Sequence, residues 1–199
     1  MDKLVNYNTS IEAVIQLLTN TFSGGNKLLI AGNGGSAADA LHIVGELRKN
    51  FKLNRPLNKE FIKSIEKNYP QYKQYYIDNL QNSLPVISLV SEMSFLTAWL
   101  NDADPDFIFA QQLIGLGKKD DVLLLISTSG NSLNILHALR IAKCLGMITI
   151  GLTSDTNNSL SKEADYSICV PYNQTDNIQE AHIKIYHYIC EEIEKRLFS

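Results

Sequence analysis

The sequence predicts an α/β protein built on a parallel sheet with helices on both faces. Three observations predict it. Short apolar runs recur along the chain, each bounded by turn residues and followed by a helical pattern. Leu123-Leu124-Leu125-Ile126 is apolar at every position, as a strand buried on both faces requires. A length of 199 residues with 45% hydrophobic and 20% charged side chains fits one ordinary globular domain, residues 1–199, and argues against disorder. Parallel strands joined through helices connect by right-handed crossovers.

Thr9-Ser10-Ile11-Glu12 has the form of a capping box, and Ile11, Val14, Ile15 and Leu18 recur at helical spacing, which predicts a helix near residues 9–22. Ser23-Gly24-Gly25-Asn26 ends it. Lys27–Ala31 reads as a strand running into Gly32-Asn33-Gly34-Gly35-Ser36. Ala37–Phe51 reads as a helix with Leu41, Val44 and Leu47 among its apolar positions. Further strands are expected at Pro85–Val90, Val122–Ile126, Met147–Leu152 and Tyr166–Val170, with a helix over Leu133–Cys144. A C-terminal helix is expected from about Ile178 to Leu197, with Ile178, Ile185, Ile189 and Ile193 in its apolar stripe. Residues 52–83 break the alternation. Phe61, Ile65, Tyr69, Tyr72, Tyr75, Tyr76 and Leu80 recur there at partly helical spacing among Lys, Glu, Asn and Gln. The segment reads as an inserted helical excursion, either a plain surface elaboration or an interface or lid.

Lys+Arg 18 against Asp+Glu 21 leaves a net charge of −3, so no basic field draws nucleic acid or an anionic membrane. The longest apolar runs, such as Val122–Ile126, fall far short of the ~18 residues of a membrane helix. Met1-Asp2-Lys3-Leu4 lacks an apolar signal core, so export is not expected. Cys144, Cys169 and Cys190 are odd in number and form no CxxC pair. They read as reduced, mostly buried thiols of a cytoplasmic protein, without a disulfide framework or a cysteine metal site.

Two turns have the composition of chemistry. Gly32-Asn33-Gly34-Gly35-Ser36-Ala37 closes a strand and opens a helix. Its glycines let the backbone approach a ligand, and the free N–H groups of the helix start favour an anion. The string also satisfies G-x-G-x-x-A, a dinucleotide fingerprint, which expects an acidic residue ~20 positions on. That region here is Lys52-Leu53-Asn54-Arg55, so a nicotinamide reading loses its second anchor. In the second turn, Ser127, Thr128, Ser129 and Ser132 surround Gly130 and Asn131 ahead of a helix. That suits a phosphate monoester, because each hydroxyl donates one bond. The plainer reading is a helix cap, but a cap uses one such residue and this turn supplies several. Both turns lie at carboxyl ends of strands, where open parallel sheets bind ligands. Together they point to a sugar phosphate.

Proton-transfer candidates sit on two helices. His42 and Glu46 are four apart, hence on one helix face, a plausible metal pair or simply a surface hydrogen bond. Gln179, His182 and His187 share the C-terminal helix. Gln179 and His187 stand ~12 Å apart along a regular helix and could share a metal only if it lay between two long side chains. A lone helical histidine is usually structural.

These pieces in this order resemble the phosphoheptose isomerases (sedoheptulose-7-phosphate isomerases) of the sugar-isomerase, or SIS, superfamily. The resemblance rests on Gly32 to His42 with Glu46-Leu47, on Asn101-Asp102, on Ile126 to Ser132, and on Ile178 to His182 with His187. It spans nearly the whole chain apart from residues 52–83. It implies a three-layer αβα sandwich with a parallel, flavodoxin-like central sheet. It implies zinc, one per subunit, on His42, Glu46, Gln179 and His187, and a homotetramer with active sites between subunits. Substrate contacts are implied at Asn33, Gly34, Gly35, Ser36, Asn101, Asp102, Ser127, Thr128, Ser129, Ser132, Asp176 and Gln179. The implied reaction moves a carbonyl between C2 and C1 of a heptose phosphate, with Glu46 as base and His187 as second acid/base. It makes a heptose precursor for lipopolysaccharide or capsule.

Two departures stand out. Family members usually carry Gly then Arg or Lys before an aromatic residue after Glu46-Leu47, whereas Lys49-Asn50 precede Phe51 here. The 52–83 excursion is longer than in most relatives. Rival readings are a non-catalytic SIS adaptor for a replication initiator, which would lack the metal set, and a sugar-phosphate sensor.

Overall fold

The structure is a computed structural model that describes residues 8–154 and 157–199. The expected absence of a signal segment at Met1–Leu4 therefore lies outside the described residues. Five strands form one sheet in the order β2-β1-β3-β4-β5: β1 (Leu28–Gly32), β2 (Val86–Ser88), β3 (Val122–Ser127), β4 (Ile148–Thr153) and β5 (Tyr166–Cys169). Every neighbouring pair is parallel. This is the flavodoxin-like order, and the predicted α/β class and SIS-type sandwich are what the chain adopts.

Side-chain alternation builds both cores. On β3, Val122, Leu124 and Ile126 join one apolar cluster while Leu123 and Leu125 join the other. The first cluster is covered by α1 (Asn8–Ser23), α2 (Gly35–Arg48) and α9 (Thr175–Phe198), through Ile15, Ile43, Leu47, Ile185 and Ile193. The second lies under α6 (Ile108–Leu116), α7 (Leu133–Cys144) and α8 (Ser159–Glu163), through Leu113, Ile135 and Leu160. Chain direction reverses beside β1: the chain passes to β2 on one side and to β3 on the other. Ligands bind at such a switch point.

Several expectations are corrected. Thr9 already lies inside α1, so it is not the cap of that helix. The helix predicted at Ala37–Phe51 runs from Gly35 to Arg48. It stops early because the amides of Phe51, Lys52 and Leu53 donate to the Glu194 carboxylate of α9 rather than continuing the helix. Leu41 is 48% exposed, because Ala40, Ile43 and Leu47 hold the buried stripe and Leu41 sits about 100° around from Ala40. Of the three thiols only Cys190 is buried; Cys144 is exposed and Cys169 half-buried. The strand at 85–90 is shorter, Val86–Ser88, and that at 166–170 ends at Cys169. No helix among the described residues is long and apolar enough to cross a membrane.

Residues 52–83 form α3 (Lys59–Asn68), a 3-10 turn at Pro70–Tyr72 and α4 (Lys73–Asn79). Asn58 caps α3 by accepting from the Phe61 N–H at 2.8 Å. Ile65 is the one buried residue of these two helices. At the base of the excursion the Arg55 side chain is fully buried in an ion pair with Glu194 at 2.7 Å.

Candidate active site

Gly32 at the end of β1 pairs in register with Ile126 on β3, so the glycine turn and the serine turn leave the sheet side by side. A Cβ on Gly32 would fall 2.5 Å from the Ser36 carbonyl oxygen, and Gly34 adopts φ 56°, ψ −120°. The turn thus needs glycine twice, once for room and once for backbone conformation. Neither Gly34, which caps α2, nor Ser132, which caps α7, supplies a side-chain capping bond. The first amides of α2 bond back within the turn, Ser36 to Asn33 and Ala37 to Gly34. Between the two turns lies an open cleft of about 290 Å³, lined by Asn33 to Ser36, by Ser127, Thr128, Ser129 and Ser132, and by Gln179. Ser127 and Ser129 hydroxyls accept from the amides of Gly130 and Asn131, which shapes the loop. The geometry favours an anion held by two helix starts.

Asn134 was not anticipated. Its side chain donates to Asn33 at 3.1 Å and accepts from it at 2.9 Å, joining the two turns across the cleft mouth. It lies in the first turn of α7, two residues after Ser132, and nothing in one sequence marks that pairing.

The second centre is a histidine–carboxylate cluster. His42 Nε2 lies 3.3 Å from Glu46 Oε1 and 3.4 Å from His187 Nε2. One ligand atom from each of the three residues lies within 4.8 Å of the others. Ligands about 2.0–2.1 Å from a tetrahedral cation stand about 3.3–3.4 Å apart, and the two distances from His42 match that spacing, so this donor set is compatible with a divalent metal. Its nitrogen and oxygen donors suit zinc or a similar ion. Burial, followed by the nearby His42 and Lys52, pulls the His187 pKa down despite the opposing pull of Glu46, which keeps a neutral imidazole available as ligand or base. Phe51 stacks on His187 with ring centroids 5.7 Å apart.

Helix packing connects the two centres. Gly35 meets Gln179, since a Cβ on Gly35 would lie 2.2 Å from Gln179 Nε2. Seven residues further along α2, His42 meets Tyr186 and His187, which lie seven and eight residues beyond Gln179 on α9. The helices therefore run side by side in the same direction, with the cleft at their starts and the cluster roughly 10 Å on. Gln179 consequently lies in the cleft, and among the described residues no hydrogen bond joins it to the cluster. Asn101 and Asp102 are exposed at the end of α5 (Met93–Asp102), where Asn101 donates to Asp102. Asp176 is exposed in the first turn of α9 and accepts from the Asn177 amide. None of these three lines the cleft of its own chain.

His182 is fully buried, and burial pushes its pKa down to about 4. It faces the sheet, where its Nε2 lies 3.4 Å from the Thr153 carbonyl, as the plain structural reading of a helical histidine expects. Asp39 and Tyr186 are further residues that a single sequence leaves unmarked: Tyr186 Oη sits 2.9 Å from His42 Nδ1 and donates to Asp39 at 3.4 Å. Burial raises the Asp39 pKa against the pull of that bond and of His42, and it raises the Tyr186 pKa as well.

An αβα fold with a glycine- and serine-lined cleft at its switch point, adjoining a His–Glu–His group, fits a sugar-phosphate isomerase of the SIS class. Family models described as SIS domain match residues 2–86 and 94–189. The chain is 40% identical to the phosphoheptose isomerase of Synechocystis sp. over 193 residues, 97% of this chain and 86% of that protein. To the phosphoheptose isomerase of Aneurinibacillus thermoaerophilus it is 39% identical over 94% of this chain and 82% of that one. The solved phosphoheptose isomerase of Neisseria gonorrhoeae superposes with TM-score 0.76 at 30% identity, covering 97% of this chain and 88% of the other. That of Francisella tularensis gives 0.77 at 30% identity, covering 94% and 86%. The chain belongs to the phosphoheptose isomerase family, and it is an enzyme, an aldose–ketose isomerase.

Proposed function

We propose that this enzyme interconverts sedoheptulose 7-phosphate and D-glycero-D-manno-heptose 7-phosphate, supplying a heptose precursor for lipopolysaccharide or capsule in the cytoplasm. The observation that carries this reading is the side-by-side packing of α2 and α9, with an anion cleft at one end and an imidazole–carboxylate cluster roughly 10 Å along. An extended seven-carbon phosphate ester is long enough to bridge them. Its phosphate takes the helix-start amides and the hydroxyls of Ser129 and Ser132, remote binding energy that orients the reacting carbons. Glu46 takes a proton from C1 of the ketose and returns it to C2 of the enediol, while His187 carries the oxygen proton from O1 to O2. Phe51 covers one face of His187 and keeps water from it.

A zinc ion, one per subunit on His42, Glu46, Gln179 and His187, would polarise the carbonyl as a Lewis acid. Glu46 would be released or shared while it acts as base. Gln179 sits at the cleft in its own chain, and ligands drawn from different subunits would relieve its separation from the cluster. Asn101 and Asp102 would likewise reach substrate in a neighbouring subunit, whereas Asp176 sits beside Thr175 at the rim of the cleft of its own chain. Self-association into a homotetramer is supported by α5, where Met93 and Leu100 are 66% and 56% exposed while Phe95, Leu96 and Trp99 pack on the second core.

The direct test is a coupled assay with sedoheptulose 7-phosphate before and after dialysis against a chelator. Turnover that disappears with the metal and returns with zinc is expected; turnover unaffected by complete metal removal would refute the zinc assignment. A second expectation concerns the cleft. Ser129→Ala with Ser132→Ala should weaken binding of a phosphorylated sugar by about 10- to 100-fold, the range for losing hydrogen bonds to a charged group. Calorimetric titration with the substrate or a phosphorylated analogue measures it, and unchanged affinity would move the phosphate elsewhere.

A further inference from the structure

We infer that Asp39 and Tyr186 are positioning residues that set the tautomer of His42, holding its proton on Nδ1 so that Nε2 presents a lone pair to the cluster. The inference deepens the metal reading above and rests on His42 as a ligand. Asp39, on α2 one turn before His42, is 6% exposed, and Tyr186, on α9 immediately before His187, is 2% exposed. Tyr186 Oη touches both Asp39 Oδ1, at 3.4 Å, and His42 Nδ1, at 2.9 Å.

One phenol carries one proton, and two acceptor positions compete for it. Among the described residues that hydroxyl is the one hydrogen-bond donor to the Asp39 side chain, whose other oxygen, Oδ2, is buried without a partner. With Asp39 ionised, giving the proton to His42 would strip a buried carboxylate of its last hydrogen bond, which is strongly unfavourable. The proton therefore goes to Asp39, and the phenol oxygen can only accept from His42. Nδ1 must then be the protonated nitrogen, and Nε2 the bare one. Nε2 is the atom that faces Glu46 and His187. Buried carboxylates orient metal-binding histidines in this way, here through an intervening phenol. Without Tyr186 the ring is free to carry its proton on Nε2 and donate it to Glu46, which blocks the position a cation needs.

The test reads ring protonation and metal affinity rather than turnover. Imidazole nitrogen chemical shifts of the metal-free wild-type protein, with only four histidines to assign, should show His42 as the Nδ1–H tautomer. Tyr186→Phe and Asp39→Asn should each populate the Nε2–H form and lower zinc affinity, measured by competition with a chelating dye, by about 10- to 100-fold. An Nε2–H tautomer in the wild-type protein would overturn the inference, as would a folded Tyr186→Phe protein with unchanged tautomer and zinc affinity. Should both variants fail to fold, the wild-type spectrum alone decides. A wild-type protein that binds no zinc would refute the metal reading of the preceding section, while the same spectrum would still decide the tautomer.

Discussion

Glu46→Gln is expected to fold as the wild-type protein does, to keep its affinity for a phosphorylated sugar, and to lose isomerisation by about 10²- to 10⁴-fold, the usual range for removing a positioned general base. The amide matches the carboxylate in size and the side chain is only 14% exposed, so packing is preserved while the proton acceptor is lost. The proposed phosphate contacts lie at the other end of α2 and are untouched. Steady-state rates at saturating substrate, paired with calorimetric affinity, separate the two effects. Unchanged turnover would remove Glu46 as the base.

The largest stability effect is expected at Glu194. Its carboxylate accepts from the amides of Phe51, Lys52 and Leu53 at 2.6–2.9 Å and from Arg55 Nε at 2.7 Å. Arg55 in turn donates to the carbonyls of Leu47 and Glu46 at 2.7 and 3.0 Å. Both side chains are 0% exposed. This node ties α9 to the end of the helix that carries Glu46 and to the segment that lays Phe51 on His187. Glu194→Ala strands a buried guanidinium and three amides, so a loss of about 3–5 kcal/mol is expected, read by denaturant unfolding. Arg55→Ala in the same background should add far less than it costs alone. A loss below about 1 kcal/mol would mean that the pair acts as an exposed one does.

The sign of the pH dependence follows. Burial by itself raises the Glu194 pKa, but the three amides and Arg55 together outweigh it and hold the carboxyl below its ordinary value of 4.5. A depressed folded-state pKa contributes stability above the unfolded value and loses it as pH falls through the folded one. The gap between wild type and Glu194→Ala should therefore be full near neutrality and close progressively below about pH 4.5.

Much of the fold was legible because parallel strands buried on both faces must be apolar at successive positions. Runs such as Val122–Ile126 therefore announce themselves. Helix ends were less legible. The end of α2 is decided by a carboxylate 146 residues on from Arg48 in sequence, and local pattern carries no trace of it. The glycine and serine turns could be read because room and backbone conformation demand those residue types locally.

Residue chemistry and spacing along the chain determined by themselves the class of fold, the glycine and serine turns that line the cleft, and the family to which His42, Glu46, Gln179 and His187 belong. Tertiary packing alone decided which of those four meet within one chain. The parallel run of α2 beside α9 brings His42, Glu46 and His187 together while leaving Gln179 against Gly35. Packing also recruited Asp39, Tyr186, Arg55 and Glu194. Hydrogen bonds and ion pairs depend on distance in space, and a sequence specifies that distance only within a turn or two of helix; beyond it, the docking of whole elements sets which side chains meet.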